Sequence, residues 1–400
     1  MKKNQLLALL VFVYSCKTEP QTVVPNRPPN SFNIITTLKE DGKTVLLNWT
    51  KAKDPDGDMV SYSIILKDTL AKNIIDTIFT INNLDYNFKH GGKIIAKDSK
   101  GLQVESSFTA VTKIVDFVEI LDPNFEKYLI DNKIDKDGIV NGKMDSRDGI
   151  GVSRIDVFSR NIKNLAGIEA FTDLKTLVCD NNRLSSIVLN KNIELEYFSC
   201  YNNQISILDI QKNSKIKFLN CGANQLQSLD ISKNILLEEL WCSYNQLNNL
   251  DLSANIALQK LTCLYNNLVT LSFDNHKNLE IISCDQNKLT SINVTNVLNL
   301  KWLSCQNNKL LNIDLSKNQK IQHLFCNKNS LQVIDINKNI DLRWLECNNN
   351  LLFDLDISKN LVLEVLNCSD NYIKNICVYD INKVKSSWQK DSYASYTKCK

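Results

Sequence analysis

The chain has 400 residues, a hydrophobic fraction of 43%, a charged fraction of 23% and a formal net charge of +3. This composition is ordinary for a soluble globular protein, and the length allows two or three domains. No basic arm or acidic run appears, so we expect no nucleic-acid partner. The sequence has only three histidines and no phosphate loop, nucleophile elbow or zinc motif, so it predicts no enzyme, no metal site and no cofactor.

The first residues have the features of an export signal. Two lysines precede the apolar run Leu6–Val13, which is too short to cross a bilayer as a helix. The stretch VYSC (Val13–Cys16) resembles the lipobox of bacterial lipoproteins, with valine where leucine is commoner. The resemblance implies a signal peptide over residues 1–15, acyl chains on Cys16, and a lipid-anchored position at the bacterial outer membrane or cell surface. An ordinary signal peptide with a chance cysteine is the alternative.

A linker and a region of short strands follow the signal. Residues 17–30 are rich in proline and polar side chains, which favours a semi-extended linker, assigned to residues 16–27, behind the lipid. From residue 28 to 112, short apolar or alternating runs between turn residues predict β-strands. The clearest runs are Thr44–Trp49, Val60–Leu66, Lys93–Asp98 and Gln103–Val111.

Three features of this region resemble a fibronectin type III domain. Pro28–Pro29 stands at its start, Trp49 lies on an early strand, and KDSKG (Lys97–Gly101) lies in the last hairpin. The resemblance implies an N-terminal β-sandwich over residues 28–112, which we interpret as a spacer. The turn Asp54–Asp58 (DPDGD) carries three aspartates that could ligate calcium, although a solvated turn is the favoured interpretation.

A different pattern occupies residues 113–151. Asn124–Ile134 has apolar residues at helical spacing, and an Asp-Pro pair precedes it as a start signal. If Gly138 of the loop Asp135–Asp145 is set at the glycine position of an EF-hand, Lys133 and Met144 fall at the first and last ligand positions, where carboxylates belong. We interpret the region as an N-terminal cap with a degenerate loop, and calcium binding there stays open.

From residue 152 to 376 the chain is a repeat array, with the unit L-x-x-L-x-C-x-x-N-x-L-x-x-L-x-L followed by five variable positions. Ten cysteines recur at a spacing of 21 residues, and an asparagine stands three residues after each. The cysteines are Cys179, Cys200, Cys221, Cys242, Cys263, Cys284, Cys305, Cys326, Cys347 and Cys368. Repeats this short leave no room for a helix on the far side of each coil.

Alternation along a strand explains the position of the cysteine. Leu240 and Cys242 are expected to point inward, and Glu239 and Trp241 outward. The thiols then stack inside the array as small apolar side chains. Neighbouring strands lie about 4.8 Å apart, which is too far for parallel Cβ vectors to close disulfides. A line of thiols also offers no tetrahedral set of ligands for zinc.

The repeat length, the cysteine position and the preceding helical cap together resemble the internalin-type leucine-rich repeats of bacterial surface proteins. The resemblance implies a mostly β chain, in which the β-sandwich is followed by a right-handed leucine-rich-repeat solenoid over residues 152–376. The convex side of this solenoid would be short and extended. No specific ligand is implied, because internalins select ligands with their variable positions.

The last residues, 377–400, depart from the period and predict a C-terminal cap. The aromatic residues available to cover the final coil are Trp388, Tyr393 and Tyr396. Cys377 and Cys399 lie off the ladder, and under oxidising conditions we expect them to form a disulfide. Two unpaired thiols are the alternative.

Because packing accounts for the inward positions, we expect function at the two outward positions of each strand. Seven aromatic or histidine side chains stand out there: Tyr197, Phe218, Trp241, Trp302, His323, Phe325 and Trp344. Aromatic residues beyond what folding needs are typical of an interface. They predict a concave face that binds a protein or peptide. Carbohydrate binding by the same rings is one alternative, and rings that only stack and stabilise the sheet are another.

The substitution Cys16→Ala tests the anchor. It removes the thiol that would carry the lipid, so the variant should leave the membrane fraction or stay unprocessed. Cell fractionation and the mass of the mature chain measure the two outcomes. A variant that matures and fractionates like the wild type would show that the lipid assignment is wrong.

Overall fold

The computed structural model describes residues 24–399, which fall into two compact units. The first unit extends to Val115, and the second begins at Asp116. Cys16 and the signal peptide lie outside the described residues. Within residues 24–399, no helix has both the length and the apolar character needed to span a bilayer.

The first unit consists of seven strands in two antiparallel sheets. The strands are β1 (Ile34–Leu38), β2 (Val45–Trp49), β3 (Val60–Ile65), β4 (Thr69–Ile74), β5 (Ile78–Ile81), β6 (Lys89–Asp98) and β7 (Gln103–Val111). One sheet has the order β1-β2-β5 and the other the order β4-β3-β6-β7.

Side chains from both sheets form one buried cluster. In β2, Val45, Leu47 and Trp49 are buried in alternation with more exposed neighbours. The Trp49 ring meets that of Tyr62 in β3 edge to face at 5.4 Å, and the Tyr62 hydroxyl accepts a hydrogen bond from the Ala52 amide at 2.8 Å. Two small sheets around a common core support the β-sandwich predicted for this region.

The second unit begins with the cap that precedes the repeats. Its elements are β8 (Phe117–Glu119), the helix α1 (Pro123–Asp131) and β9 (Lys143–Asp145), which pairs with β8. Asp122 caps α1 by accepting from the Asn124 amide at 2.9 Å, and its other oxygen accepts from the Lys163 amide at 2.6 Å. Phe125 and Leu129 of α1 are fully buried in the same core as the repeats. The helix therefore covers the first coil.

Eleven short parallel strands form one sheet along the repeats. They are β10 (Arg154–Asp156), β11 (Thr176–Val178), β12 (Tyr197–Ser199), β13 (Phe218–Asn220), β14 (Glu239–Trp241), β15 (Lys260–Thr262), β17 (Ile281–Ser283), β19 (Trp302–Ser304), β20 (His323–Phe325), β21 (Trp344–Glu346) and β23 (Val365–Asn367). Paired residues are 21 positions apart, except at the first step from Arg154 to Thr176. This register confirms the predicted repeat length.

Outside this sheet the coils consist mostly of turns and short extended segments. The remaining strands are β16 (Thr270–Ser272), β18 (Ser291–Asn293), β22 (Leu355–Asp356), β24 (Asn375–Val378) and β25 (Ser395–Lys398). β16 pairs with β18, and β22, β24 and β25 form a small sheet near the C-terminus. The unit is therefore mostly β, as the sequence predicts.

The ten repeat cysteines form a ladder in the interior. All ten are at most 1% exposed, whereas Trp241, which precedes Cys242, is 40% exposed. Burial raises the pKa of each thiol, to about 12 at Cys221, because a thiolate is disfavoured away from water. The predicted ladder of inward, apolar thiols is confirmed.

An asparagine near the end of each strand joins its coil to the preceding one, and we call it the corner asparagine. Asn245 donates from Nδ2 to the carbonyl oxygens of Cys242 at 3.1 Å and Cys221 at 3.0 Å. Its Oδ1 accepts from the Leu226 amide at 3.0 Å. The residue before the corner asparagine is left-handed in all ten coils, with φ between 51° and 57°. The amide thus satisfies backbone groups that the buried turn would leave unpaired.

A second row of asparagines lies in the segment that sequence reasoning treated as variable. Its members are Asn192, Asn213, Asn234, Asn255, Asn318, Asn339 and Asn360. Each donates from Nδ2 to carbonyl oxygens 24 and 21 residues earlier. In two consecutive coils His276 and Val297 take this position. The recurrence of asparagine at the 21-residue spacing was the signal that could have found this row.

The C-terminal cap contains β24 and β25, which pair in parallel. Trp388 and Tyr396 pack against the solenoid core, as expected of a cap. Tyr393 is 58% exposed, so its ring contributes little to the cover, contrary to the expectation. A disulfide joins Cys377 in β24 to Cys399, just after β25.

Serine substitutions should measure how well the ladder tolerates a hydroxyl. Sγ of Cys284 lies 3.4 Å from the Ser304 carbonyl oxygen, so a hydroxyl there has an acceptor. Cys242 has no such side-chain contact among the described residues. Cys242→Ser should therefore lower the free energy of unfolding by about 2–3 kcal/mol, and Cys284→Ser by about 1 kcal/mol. Chemical denaturation measures both values, and equal losses would contradict this explanation.

The burial of Asp135, in the loop of the N-terminal cap, should make the stability of the protein depend on pH. It is 2% exposed, and its burial, with the charge of Asp137, raises its pKa to about 6. An unfolded aspartate has a pKa of about 3.9. The folded cap therefore holds the proton more tightly, and stability falls as pH rises from about 4 to about 6. Asp135→Asn should raise the melting temperature above that of the wild type at pH 7 but not at pH 4.

The control for this measurement is Asp341→Asn, because Asp341 is an exposed carboxylate on the solenoid. The control should melt with the same pH profile as the wild type. If the melting temperature of Asp135→Asn changes with pH in parallel with that of the wild type between pH 4 and pH 7, the charge of Asp135 does not destabilise the folded protein.

Candidate binding face of the parallel sheet

The first and third residues of each strand form the outward face of the 11-stranded sheet. In β14, Leu240 is fully buried, whereas Glu239 and Trp241 are partly exposed. In-register pairing aligns the outward residues of successive strands into two columns. The structure places all seven candidate ligand-binding residues in these columns and brings them together in two clusters.

The first cluster consists of Tyr197, Phe218 and Trp241. The rings of Tyr197 and Phe218 stack in parallel, with centroids 4.2 Å apart and an interplanar angle of 2°. Trp241 meets Phe218 edge to face at 5.3 Å. The stacked rings of Tyr197 and Phe218 each cover one face of the other, while Tyr197 and Trp241 remain 38% and 40% exposed. Such cross-strand ring contacts stabilise a sheet by themselves.

The second cluster consists of Trp302, His323, Phe325 and Trp344 on the neighbouring strands β19, β20 and β21, and we call it the tryptophan cluster. Trp302 lies 4.8 Å from His323 and 4.9 Å from Phe325, and Phe325 lies 5.8 Å from Trp344. The rings in these contacts are tilted by 35° to 48°. Tilted rings leave part of each indole face uncovered.

Phe325 differs from the expectation of an exposed aromatic residue. Its side chain is only 9% exposed, because it lies between the indoles of Trp302 and Trp344. Trp344 is 37% exposed, and Trp302 and His323 are half-buried. Phe325 therefore forms the floor of the tryptophan cluster, and the indoles form its sides.

Two strands, β15 and β17, separate the clusters. Lys260 on β15 pairs with Glu239 on β14 at 2.9 Å, and Ile281 on β17 is half-buried. Three strand spacings from β14 to β19 correspond to about 15 Å. A partner that contacts both clusters must therefore be an extended segment or a broad surface.

A carboxylate adjoins the tryptophan cluster. Oε1 of Glu346 accepts a hydrogen bond from Nε1 of Trp344 at 3.0 Å, and Glu346 pairs in register with Phe325. This bond fixes the orientation of the Trp344 indole and places negative charge beside its ring.

A second carboxylate, Asp285, follows β17. It is 9% exposed and accepts from the Ser304 hydroxyl at 2.7 Å and the Gln306 amide at 2.8 Å. Burial raises the pKa of Asp285, and the two hydrogen bonds oppose that rise by favouring the charged form. Asp285 thus supports the backbone beside the cluster.

Two groups of side chains could in principle hold a cation among the described residues. The first consists of Asp54, Asp58 and Asp98, and the second of Asp356, Cys377 and Cys399. In the first group, Nζ of Lys100 lies 2.9 Å from Asp58, and Asp54 accepts from the Asp56 amide at 2.8 Å. The sulfur atoms of the second group form a disulfide. These contacts support a self-capped turn and a cross-link, and we propose no metal at either.

Sequence reasoning missed two exposed ring pairs, Tyr244–Tyr265 and the more widely spaced Phe353–Tyr372. Tyr244 and Tyr265 stack at 4.5 Å with an interplanar angle of 11°, and they are 52% and 46% exposed. Both occupy the left-handed position before the corner asparagine, outside the two strand columns. Their identical position in successive 21-residue units was the available signal.

Known structures resemble this chain in fold. The functional domain of InlJ from Listeria monocytogenes, which includes a cysteine ladder, matches with a TM-score of 0.51 and 24% identity, over 71% of this chain and 73% of that one. An internalin from the same species, InlF, matches with a TM-score of 0.51 and 17% identity, over 69% of this chain and 94% of that one. No protein-family model matches the sequence, and no curated protein does.

A plant protein is similar as well. The leucine-rich-repeat ectodomain of the receptor kinase GASSHO1/SCHENGEN3 from Arabidopsis thaliana, in complex with CASPARIAN STRIP INTEGRITY FACTOR 2, matches with a TM-score of 0.52 and 20% identity. The match covers 60% of this chain and 32% of that one. At these identities the likeness is one of fold. The repeat array thus has the leucine-rich-repeat fold, with a coil length and a cysteine ladder that fit the predicted internalin type.

Proposed function

We propose that this protein is a recognition or adhesion protein, anchored by lipid at Cys16 to a bacterial outer membrane or cell surface. In this proposal the outward face of the 11-stranded sheet is the concave face of the solenoid and binds a protein or peptide partner. The N-terminal unit serves as a spacer. No enzymatic step, metal or cofactor takes part.

The tryptophan cluster is the observation that carries the proposal. Two indoles, an imidazole and a phenyl ring meet on three neighbouring strands, outside the cysteine-lined interior. Tryptophan is enriched at the energetic centres of interfaces, because a half-buried indole still has a large apolar area to bury. A cluster whose indole faces stay partly open therefore favours a binding role over strand stabilisation alone.

The similar structures support this role by analogy of fold. The plant receptor ectodomain is seen in complex with CASPARIAN STRIP INTEGRITY FACTOR 2, and internalins of Listeria monocytogenes share the repeat fold. A solenoid sheet offers an extended surface whose outward side chains can change without disturbing the core.

The strand order of the N-terminal unit supports its assignment as fibronectin type III-like. Its three-stranded sheet β1-β2-β5 and four-stranded sheet β4-β3-β6-β7 have the layers of such a sandwich. We assign no ligand to this unit and propose that it is a spacer between the anchor and the binding face.

Carbohydrate binding is the second candidate function. It is favoured by the bond between Nε1 of Trp344 and Oε1 of Glu346, which sets a carboxylate beside an indole. An indole face can cover the apolar side of a sugar ring while a carboxylate accepts from its hydroxyls.

Arrays of purified proteins, peptides and glycans, probed with the full-length protein, would identify the class of partner. Against a partner so identified, Trp302→Ala combined with Trp344→Ala should weaken binding by about 100-fold or more, because truncations at the centre of an interface cost about 2 kcal/mol or more. The same variant should lose about 1–2 kcal/mol of stability, since both side chains are partly exposed. Calorimetric titration and thermal melting measure the two effects.

The matched control is Tyr244→Ala combined with Tyr265→Ala, because this ring pair is also exposed but lies outside the strand columns. The control should keep its affinity. Unchanged binding by the tryptophan variant, or an equal loss in both variants, would overturn the proposal. Glycan binding that the tryptophan variant loses would instead establish the second candidate.

A further inference from the structure

We infer that the tryptophan cluster receives a cationic side chain of the partner, an arginine in the first place. The inference rests on the proposed function and specifies what the partner presents at this part of the face. It follows from the tilted arrangement of the rings and from the neighbouring carboxylate.

The rings provide the first reason. A guanidinium or ammonium group is attracted to the face of an aromatic ring within about 6 Å of its centroid, most strongly to an indole. Trp302 and Trp344 flank the buried Phe325 at 4.9 Å and 5.8 Å, tilted against it by 39° and 48°. The two indoles are tilted against the phenyl floor, and we call the surface between them the cup.

The carboxylate provides the second reason. Oε1 of Glu346 is held by Nε1 of Trp344, so the charge stays beside the cup. From β17 to β23, Glu346 is the only aspartate, glutamate, lysine or arginine at an outward strand position of the described sheet. A cation in the cup would therefore meet a complementary charge.

The basic side chains that precede the two tryptophans do not fill this role. Lys301 pairs with Glu280 and Arg343 pairs with Glu364, each at 2.9 Å. Each of these four residues directly precedes a strand, so both ion pairs lie at the N-terminal ends of the strands. The cation for the cup is therefore expected from the partner.

Two small probes that differ in charge but hardly in shape test the inference. N-acetyl-arginine amide and its neutral analogue N-acetyl-citrulline amide would be titrated into the full-length protein while the indole N–H resonances are followed by NMR. Arginine amide should shift the signals of Trp302 and Trp344 and leave those of Trp49, Trp241 and Trp388 in place. Its apparent affinity should exceed that of citrulline amide about tenfold.

Two variants test whether the preference for the charged probe depends on the carboxylate of Glu346. Glu346→Gln should lower the affinity for arginine amide about fivefold and leave the affinity for citrulline amide unchanged, because only the charged probe is attracted by the carboxylate. The matched control is Glu239→Gln, which removes a carboxylate from the same face outside the tryptophan cluster. This control should keep the affinity for arginine amide.

Equal shifts with both probes, or an unchanged affinity in Glu346→Gln, would overturn the inference. Shifts of Trp302 and Trp344 by cellobiose but not by arginine amide would also overturn it, in favour of a sugar. The proposed function fails separately, if the tryptophan variant binds an identified partner as the wild type does. If the tryptophan variant fails to bind an identified partner but Glu346→Gln binds that partner with wild-type affinity, the proposed function is retained and the cationic site is rejected.

Discussion

The hydrogen bonds of the corner asparagine are the interaction on which the solenoid depends. Each side-chain amide donates to carbonyl oxygens of its own and the preceding coil and accepts from an amide of the preceding coil, as Asn245 does. Because one side chain reaches both coils, these bonds hold the corners of neighbouring coils in line, and they do so even at the first step, which is one residue longer. The constant spacing of 21 residues then sets each cysteine beside the next and lets every three-residue strand pair in register.

Pairing in register has a consequence for the outer surface. A side chain lies about 4.8 Å from its counterpart in the next coil, a distance at which aromatic rings must touch. Tyr197 and Phe218 respond by stacking, which covers one face of each ring. Trp302 and Trp344 tilt around Phe325, which leaves their faces partly open. The same backbone thus yields a stacked ring pair with an edge-to-face tryptophan in one half of the sheet and a cluster of tilted rings in the other.

Much of this site could be read from the repeat, but not all of it. The 21-residue period places Trp302, His323 and Trp344 on adjacent strands, and strand alternation turns them outward. The burial of Phe325 could not be read in the same way, because it depends on the rings of two neighbouring coils. The second row of asparagines and the pair Tyr244–Tyr265 recur at the same spacing, so they were present in the pattern but outside the positions considered.

The sequence by itself determined the coil length, the inward position of the cysteines and the set of outward positions, because a fixed period and the alternation of a strand are local rules. Only the tertiary structure decided how the outward rings meet, which of them is buried, and that Glu346 holds the indole of Trp344. It also decided that Asp135 is enclosed and carries a raised pKa. These properties depend on contacts between side chains of different coils or of a folded loop. Ring tilt and enclosure are set by the volume that those neighbours leave, which no local pattern encodes.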